Sequence, residues 1–280
     1  MPFFAIMQGR LVPPEDSRFQ SFPRERWRDE FALAAEAGLN GIEWIFDLYG
    51  EDSNPICSDA GVAAMRALSQ QTGIQVRSLC ADYFMDRPLL RISEIERNQQ
   101  VQKLEWLLSR CKLLDIRRIV IPFVDNSRIE NHDEEATVIS VLQTILPTAE
   151  THKIEIHLET SLAPEAFAGL LDQCSHPLVR ANYDSGNSAA LGYKVADEFA
   201  AYGHRVGSVH IKDRKFRGST VPLGTGDVDF EALFRGLSDL NYTGDYVLQT
   251  ARSAPGQELP WIAQSLLWIA GQIESAEKVQ

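Results

Sequence analysis

Short runs rich in β-branched and aromatic residues alternate with longer amphipathic stretches from one end of the chain to the other. This rhythm restricts the fold more than any other feature, because strands that alternate with helices pair in parallel through crossovers. The runs are Phe3–Met7, Gly41–Trp44, Ile74–Leu79, Arg118–Phe123, Lys153–Leu158, Leu178–Tyr183, Val206–Ile211 and Asp245–Leu248. Between them the spacing predicts helices over about Arg24–Ala37, Ser58–Thr72, Ser93–Leu114 and Glu134–Thr151. A further helix opens near Ala163, and others cover about Lys194–Tyr202, Asp229–Leu237 and Leu259–Ser275. Ser58 reads as an N-cap, with Gly38 and Gly73 as stops. The helix from Ser93 carries its apolar face on Ile95, Val101, Leu104, Leu107, Leu108 and Cys111. Eight such units close into a single (β/α)8 TIM barrel, whereas an open doubly wound sheet more often carries roughly five to seven strands. No linker or shift in composition divides the 280 residues, so one domain over residues 1–280 is expected.

Charge and cysteines narrow the partners. The 27 Lys and Arg against 39 Asp and Glu leave a net charge of −12. That balance argues against nucleic acid, whose phosphates need a basic surface, and against docking on an anionic membrane leaflet. No apolar stretch approaches the roughly 18 residues of a membrane span. The start, MPFFAIMQGRLVPPED, lacks the basic region and apolar core of a signal peptide. Cys57, Cys80, Cys111 and Cys174 stand apart without C-x-x-C spacing. This excludes a zinc ribbon or a thioredoxin-like site and fits free thiols in a reducing cytoplasm.

In a barrel of this kind the active site sits at the C-terminal ends of the strands, so the polar residues just after each run are the candidates. They include Gln8, Arg10, Glu43, Asp82, Asp125, His157, Glu159, Asp184, Asn187, His210, Lys212, Arg214, Arg217, Gln249 and Arg252. Any one has a structural explanation, because loops are solvated and Asp or Asn cap helices. The set is chemically biased. Glu159, Asp184, His210 and Gln249 stand at the ends of the last four runs, in IEIHLET, RANYD, GSVHIKD and DYVLQT. Strand residues two apart share a side, so one barrel mouth gathers these four. Two carboxylates, an imidazole and an amide carbonyl suit one divalent ion (Mn²⁺, Mg²⁺, Co²⁺ or Zn²⁺), and the lack of thiolate disfavours Cu(I).

These motifs carry a family resemblance. From IMQGR to LQTAR, and most specifically in IHLET, YDSGN, SVHIKDR and PLGTGDVDF, the chain resembles the xylose-isomerase-like sugar isomerases and epimerases. The resemblance implies one divalent metal on Glu159, Asp184 and His210, and proton abstraction beside a sugar carbonyl through a metal-stabilised enediolate. Gln249 stands where that pattern has a second glutamate. In the epimerases the two glutamates are the proton-transfer pair. An amide offers a carbonyl oxygen to a metal but no useful base, leaving Glu159 as the sole glutamate base. Isomerisation, which needs one base on one face, is therefore expected over a two-glutamate epimerisation, unless another group such as Glu43 or Lys212 serves.

Lys212, Arg214, Lys215, Arg217 and Arg252 follow the last two runs, where barrels often hold phosphate, and Arg10 ends the first. A cationic mouth on an acidic chain points to a sugar phosphate or sugar acid, with Arg10, Glu43, Asn187, Arg214, Arg217 and Arg252 as its contacts and Lys212 beside the chemistry. Trp44, Phe46, Tyr83 and Phe123 are candidates for the pocket wall, and Gly224-Thr225-Gly226 for either a phosphate loop or a tight turn. Trp261 and Trp268 on the last helix suit either the barrel or a second copy in a homo-oligomer. A sugar dehydratase on the same scaffold and a non-catalytic sugar-binding barrel are the alternatives. A DNA-repair endonuclease, which needs several metals, is disfavoured by six histidines and the acidic balance.

Overall fold

The computed structural model describes residues 2–278, so residues 1, 279 and 280 of the expected single domain lie outside the described residues. Eight parallel strands close into a barrel: β1 (Phe3–Met7), β2 (Gly41–Ile45), β3 (Gln75–Cys80), β4 (Arg118–Phe123), β5 (Glu155–Thr160), β6 (Val179–Asp184), β7 (Val206–Ile211) and β8 (Asp245–Leu248). Each pairs with its sequence neighbours, and Phe3 set against Asp245 closes the ring between β1 and β8. The chain is a single (β/α)8 TIM barrel, as the strand–helix rhythm requires.

The strand centres are almost entirely buried: apolar residues cover the face under the helices, and the barrel interior holds hydrogen-bonded polar side chains such as His157, Ser208 and Asn182. The helices start and stop where local chemistry dictates. Ser58 accepts from Gly61 N at the N-terminus of Asp59–Thr72, and Gly73 ends it at φ +77°. Ser93 and Glu96 form a reciprocal capping box at the start of Glu94–Leu113. Ile95, expected on the apolar face, lies in that first turn and is 74% exposed. The other five residues of that face are buried.

Other departures lie in the connections. The first helix starts at Asp29 rather than near Arg24, after a series of turns. Beyond β6 there are two helices, Ser185–Leu191 and Val195–Tyr202, the first capped by the Asp184 side chain. The polar stretch after β7 folds back as a small antiparallel hairpin, Asp213–Arg214 against Thr220–Val221. Gly226 N donates to Asp213 Oδ2 (2.8 Å) at its base, so the Gly-Thr-Gly segment is a structural turn. On the last helix, Trp268 meets Phe230 edge-on (4.9 Å) and Trp261 Nε1 donates to Ala251 O (2.8 Å). Both tryptophans face the barrel. Among the described residues no helix is long and apolar enough to cross a membrane, and all four cysteines are free.

Candidate active site

The ends of β5, β6 and β7 bring Glu159, Asp184 and His210 together. All three are buried, and each presents one ligand atom within 4.8 Å of the others. The inward direction of these side chains follows from the strand pleat. Glu159 Oε1 accepts from Asn187 Nδ2 (2.7 Å) and Oε2 from Asn182 Nδ2 (3.0 Å). Asp184 Oδ1 accepts from Asn187 N (2.7 Å), and Oδ2 faces Lys212 Nζ at 3.3 Å. His210 Nδ1 lies 3.3 Å from Glu159 Oε2 and 3.9 Å from Asp184 Oδ2.

Behind the imidazole stands Glu43, whose Oε1 is 2.6 Å from His210 Nε2. β2 and β7 are not neighbours, so this contact crosses the barrel interior. Burial would lower the basicity of the imidazole, but the Glu43 and Glu159 carboxylates outweigh it and raise His210 to about 10. A carboxylate behind the far ring nitrogen is the arrangement that orients a metal-ligating histidine. Glu43 is therefore placed behind a candidate ligand and does not line the cavity, in place of the substrate contact expected of it.

The orientation of Gln249 is fixed by a chain of obligatory donors. Arginine can only donate, and Arg10 Nη2 bonds Gln20 Oε1 (3.0 Å). Gln20 Nε2 must then face away, and it donates to Asp82 Oδ2 (2.7 Å). The same Gln20 Oε1 accepts from Gln249 Nε2 (2.8 Å). Gln249 Oε1 is thus left as a buried acceptor with no partner in the protein. Two carboxylates, an imidazole and this orphaned carbonyl oxygen fit a divalent cation held by oxygen and nitrogen.

A cavity of about 380 Å³ opens over this cluster. Its walls include Asp82, Asp125, Glu159, Asn187, Lys212, Arg214 and Gln249 from the strand-end candidates, together with Arg18, Gln20 and Tyr49. Gly186 makes room for Lys212: a Cβ there would sit 2.6 Å from Lys212 Cγ. Arg214 Nη1 donates to Asn187 Oδ1 (2.8 Å), so that Asn187 links Arg214, Lys212 and Glu159.

Three arginines named from the sequence lie elsewhere. Arg10 spends its donors on Thr250 O, Phe19 O and Gln20 Oε1. Arg252 donates to the carbonyls of Phe19, Gly9 and Val12. Both clamp the loop after β1 onto the end of β8, because a buried guanidinium must satisfy its donors within the protein. Arg217 has its guanidinium over Phe216 on the hairpin and does not line the cavity. The aromatic wall is also different. Trp44, Phe46, Tyr83 and Phe123 are buried in the core, and Phe19 and Tyr49 line the cavity instead. Arg18 was not legible in the sequence because it lies in the loop after β1, far from any strand end. Its guanidinium stacks on Tyr49 at 4.2 Å.

Residues 31–272 match the family model of the xylose isomerase-like TIM barrel. The chain belongs to that family. This xylose isomerase-like barrel is 25% identical over 268 residues to the L-ribulose-5-phosphate 3-epimerase UlaE of Salmonella heidelberg, covering 91% of this chain and 93% of that one. Its fold matches a solved L-ribulose 3-epimerase (TM-score 0.76, 15% identity, 99% and 96% of the two chains). It also matches a xylose isomerase-like TIM barrel protein from Mycobacterium smegmatis in complex with magnesium (TM-score 0.72, 16% identity, 98% and 97%).

Proposed function

We propose that this barrel is a sugar isomerase or epimerase that moves a proton on a carbon beside a carbonyl, acting on a small sugar that carries a phosphate or another anionic group. The observation that carries this reading is the buried convergence of Glu159, Asp184 and His210 within 4.8 Å beneath an open cavity. The sugar epimerases among its relatives support it. Glu159, Asp184, His210 and the free Oε1 of Gln249 would hold the cation. Bound there, a divalent ion would supply a Lewis acid for the sugar oxygens.

The protein's own groups do the rest. Glu159 is the base, its carboxylate held in position by the amides of Asn182 and Asn187. Lys212 and Arg214 converge on Asn187 Oδ1 at the cavity wall, next to where sugar hydroxyls would lie. Arg18 lines the cavity with its guanidinium on Tyr49, where it would meet an anionic substituent of the sugar. The reducing cytoplasm is the compartment that suits four free thiols.

The test is incubation in D₂O with L-ribulose 5-phosphate, L-ribulose and the C3 epimer of each, with Mn²⁺ or Mg²⁺ supplied. Deuterium uptake at a carbon beside the carbonyl, lost in Glu159→Gln, is the expected result. Metal binding without uptake from any of the four would overturn the enzymatic reading in favour of a sugar-binding barrel. Uptake from the phosphorylated sugars alone would identify the anionic group as part of the substrate.

A further inference from the structure

With an amide at position 249, the cavity lacks a second glutamate beside the candidate cation site, and inversion at a carbon needs two proton-transfer groups on opposite faces. Neither alternative raised by the sequence supplies it. Glu43 is sealed behind His210, and Lys212 is committed to Asp184 and Asn187. Other carboxylates of the cavity wall are no better placed. Asp47 is buried and tied to the main chain through Phe22 N (2.9 Å) and Gly50 N (2.7 Å), where Asp82 is held by side chains alone, and Asp86 and Asp125 are exposed.

We propose that Asp82, at the end of β3, is the second proton-transfer group, reaching the sugar from a different strand end of the same cavity as Glu159, so that the barrel inverts a carbon with one glutamate and one aspartate. This rests on the reading of the cavity as a sugar site. Asp82 lines the same cavity as Glu159, and Pro122 and Val124 of the intervening strand region line the wall as well. Its carboxylate is held by two donors, Gln20 Nε2 at 2.7 Å and Cys80 Sγ at 3.1 Å.

Gln20 ties this carboxylate to position 249. Arg10 fixes Gln20 Oε1 as an acceptor, so the residue at 249 must donate to it, and the residue at 82 must accept from Gln20 Nε2. An amide at 249 and a carboxylate at 82 satisfy that polarity. A glutamate at 249 would set a carboxylate against Gln20 Oε1, acceptor against acceptor. The carboxyl has in effect moved one amide along the chain. Burial also pushes Asp82 up to about 6, which lets it take a proton in one direction and give it in the other near neutrality.

Glu159 takes the proton from the carbon; the C–H pair becomes the carbon–carbon π bond of the enediolate while the carbonyl π pair moves to oxygen. The pair then returns, and the carbon takes the proton of the Asp82 carboxylic acid on the other face. Glu159 ends protonated and Asp82 ionised, and exchange with solvent resets both.

Asp82→Asn keeps an acceptor for Gln20 and tests the assignment in D₂O with each C3 epimer of L-ribulose and L-ribulose 5-phosphate. Inversion is expected to fall by about 10²-fold or more, while deuterium still enters the one epimer whose proton Glu159 removes. In Asp82→Ala, added formate is expected to restore inversion, which guards against a folding defect in the first variant. Inversion by Asp82→Asn at the wild-type rate overturns the assignment. So does loss of exchange into both epimers with an unchanged thermal melt. If the wild type takes up no deuterium from any probe, the enzymatic reading fails and this inference falls with it.

Discussion

Glu30 shows how one buried side chain sets a pH dependence for the loop that frames the site. It is fully buried on the first helix, and its Oε1 accepts from Gly9 N (2.7 Å) and Leu11 N (3.4 Å). Desolvation outweighs those bonds and raises the carboxyl from 4.5 to about 7. In the unfolded chain the group ionises near 4.5, so the folded state binds the proton more tightly. Its contribution to stability is fully present below about 4.5 and is lost as the pH rises through about 7. Glu30→Gln keeps the acceptor for Gly9 and has nothing to ionise. Its stability relative to the wild type should therefore rise by about 3 kcal/mol between pH 4 and pH 8, read by urea unfolding at each pH. An unchanged difference across that range would mean that the carboxyl ionises as readily in the folded state as in the unfolded chain. Nothing in the sequence singles out Glu30 among 39 acidic residues. Its role arises from a contact with residues about twenty positions away, which no local pattern encodes.

The elements divide into those legible from the sequence and those that are not, for a physical reason. Strands and crossover helices repeat a period, so their order and the position of Glu159, Asp184, His210 and Gln249 at strand ends follow from spacing. The loop after β1 has no period. It is built by Arg10 and Arg252 donating to its carbonyls and to Thr250 O, contacts that join chain positions some 240 residues apart. From the sequence those arginines read as substrate contacts, because a cation at a strand end is ambiguous until its partners are known. Arg252→Met keeps the aliphatic packing and removes the donors. Leaving buried carbonyls unpaired costs about 1–3 kcal/mol, and amide exchange should quicken over residues 9–20. Because Gln20 belongs to this loop, the hydrogen bonds to Gln249 and Asp82 should loosen as well, and catalysis of inversion should fall by more than the stability loss alone would give. Exchange rates in that loop identical to the wild type would show that Arg10 alone suffices as the clamp.

On the scale of the whole molecule, the barrel keeps polar chemistry inside at two levels. Near the mouth, Glu43 reaches across from β2 to His210 on β7. Near the opposite end, Arg118 of β4 forms a buried ion pair with Asp245 of β8, and Arg77 Nη1 adds a second contact at 3.5 Å. β4 and β8 are not neighbours in the ring, so this pair crosses the barrel interior and ties opposite walls together. Asp245 also opposes Phe3 in the register that closes the ring. Burial would make the Arg118 guanidinium easier to deprotonate, but the Asp245 carboxylate outweighs that and raises it. Replacing a buried pair with apolar residues can be neutral, whereas removing one partner leaves an uncompensated charge. Asp245→Asn should accordingly cost about 3–5 kcal/mol, measured by guanidinium chloride unfolding, with the slope unchanged because the barrel still unfolds as one unit. The variant should keep deuterium exchange on the sugar probes, since Asp245 and Gln249 are separated by about 13 Å along β8 at the usual strand rise. A cost below about 1 kcal/mol would mean that solvent hydrates Arg118 in place of its partner. The expected loss of stability with exchange retained would give the two ends of the barrel different jobs, closure at the end where β8 begins and proton transfer at the end where it stops.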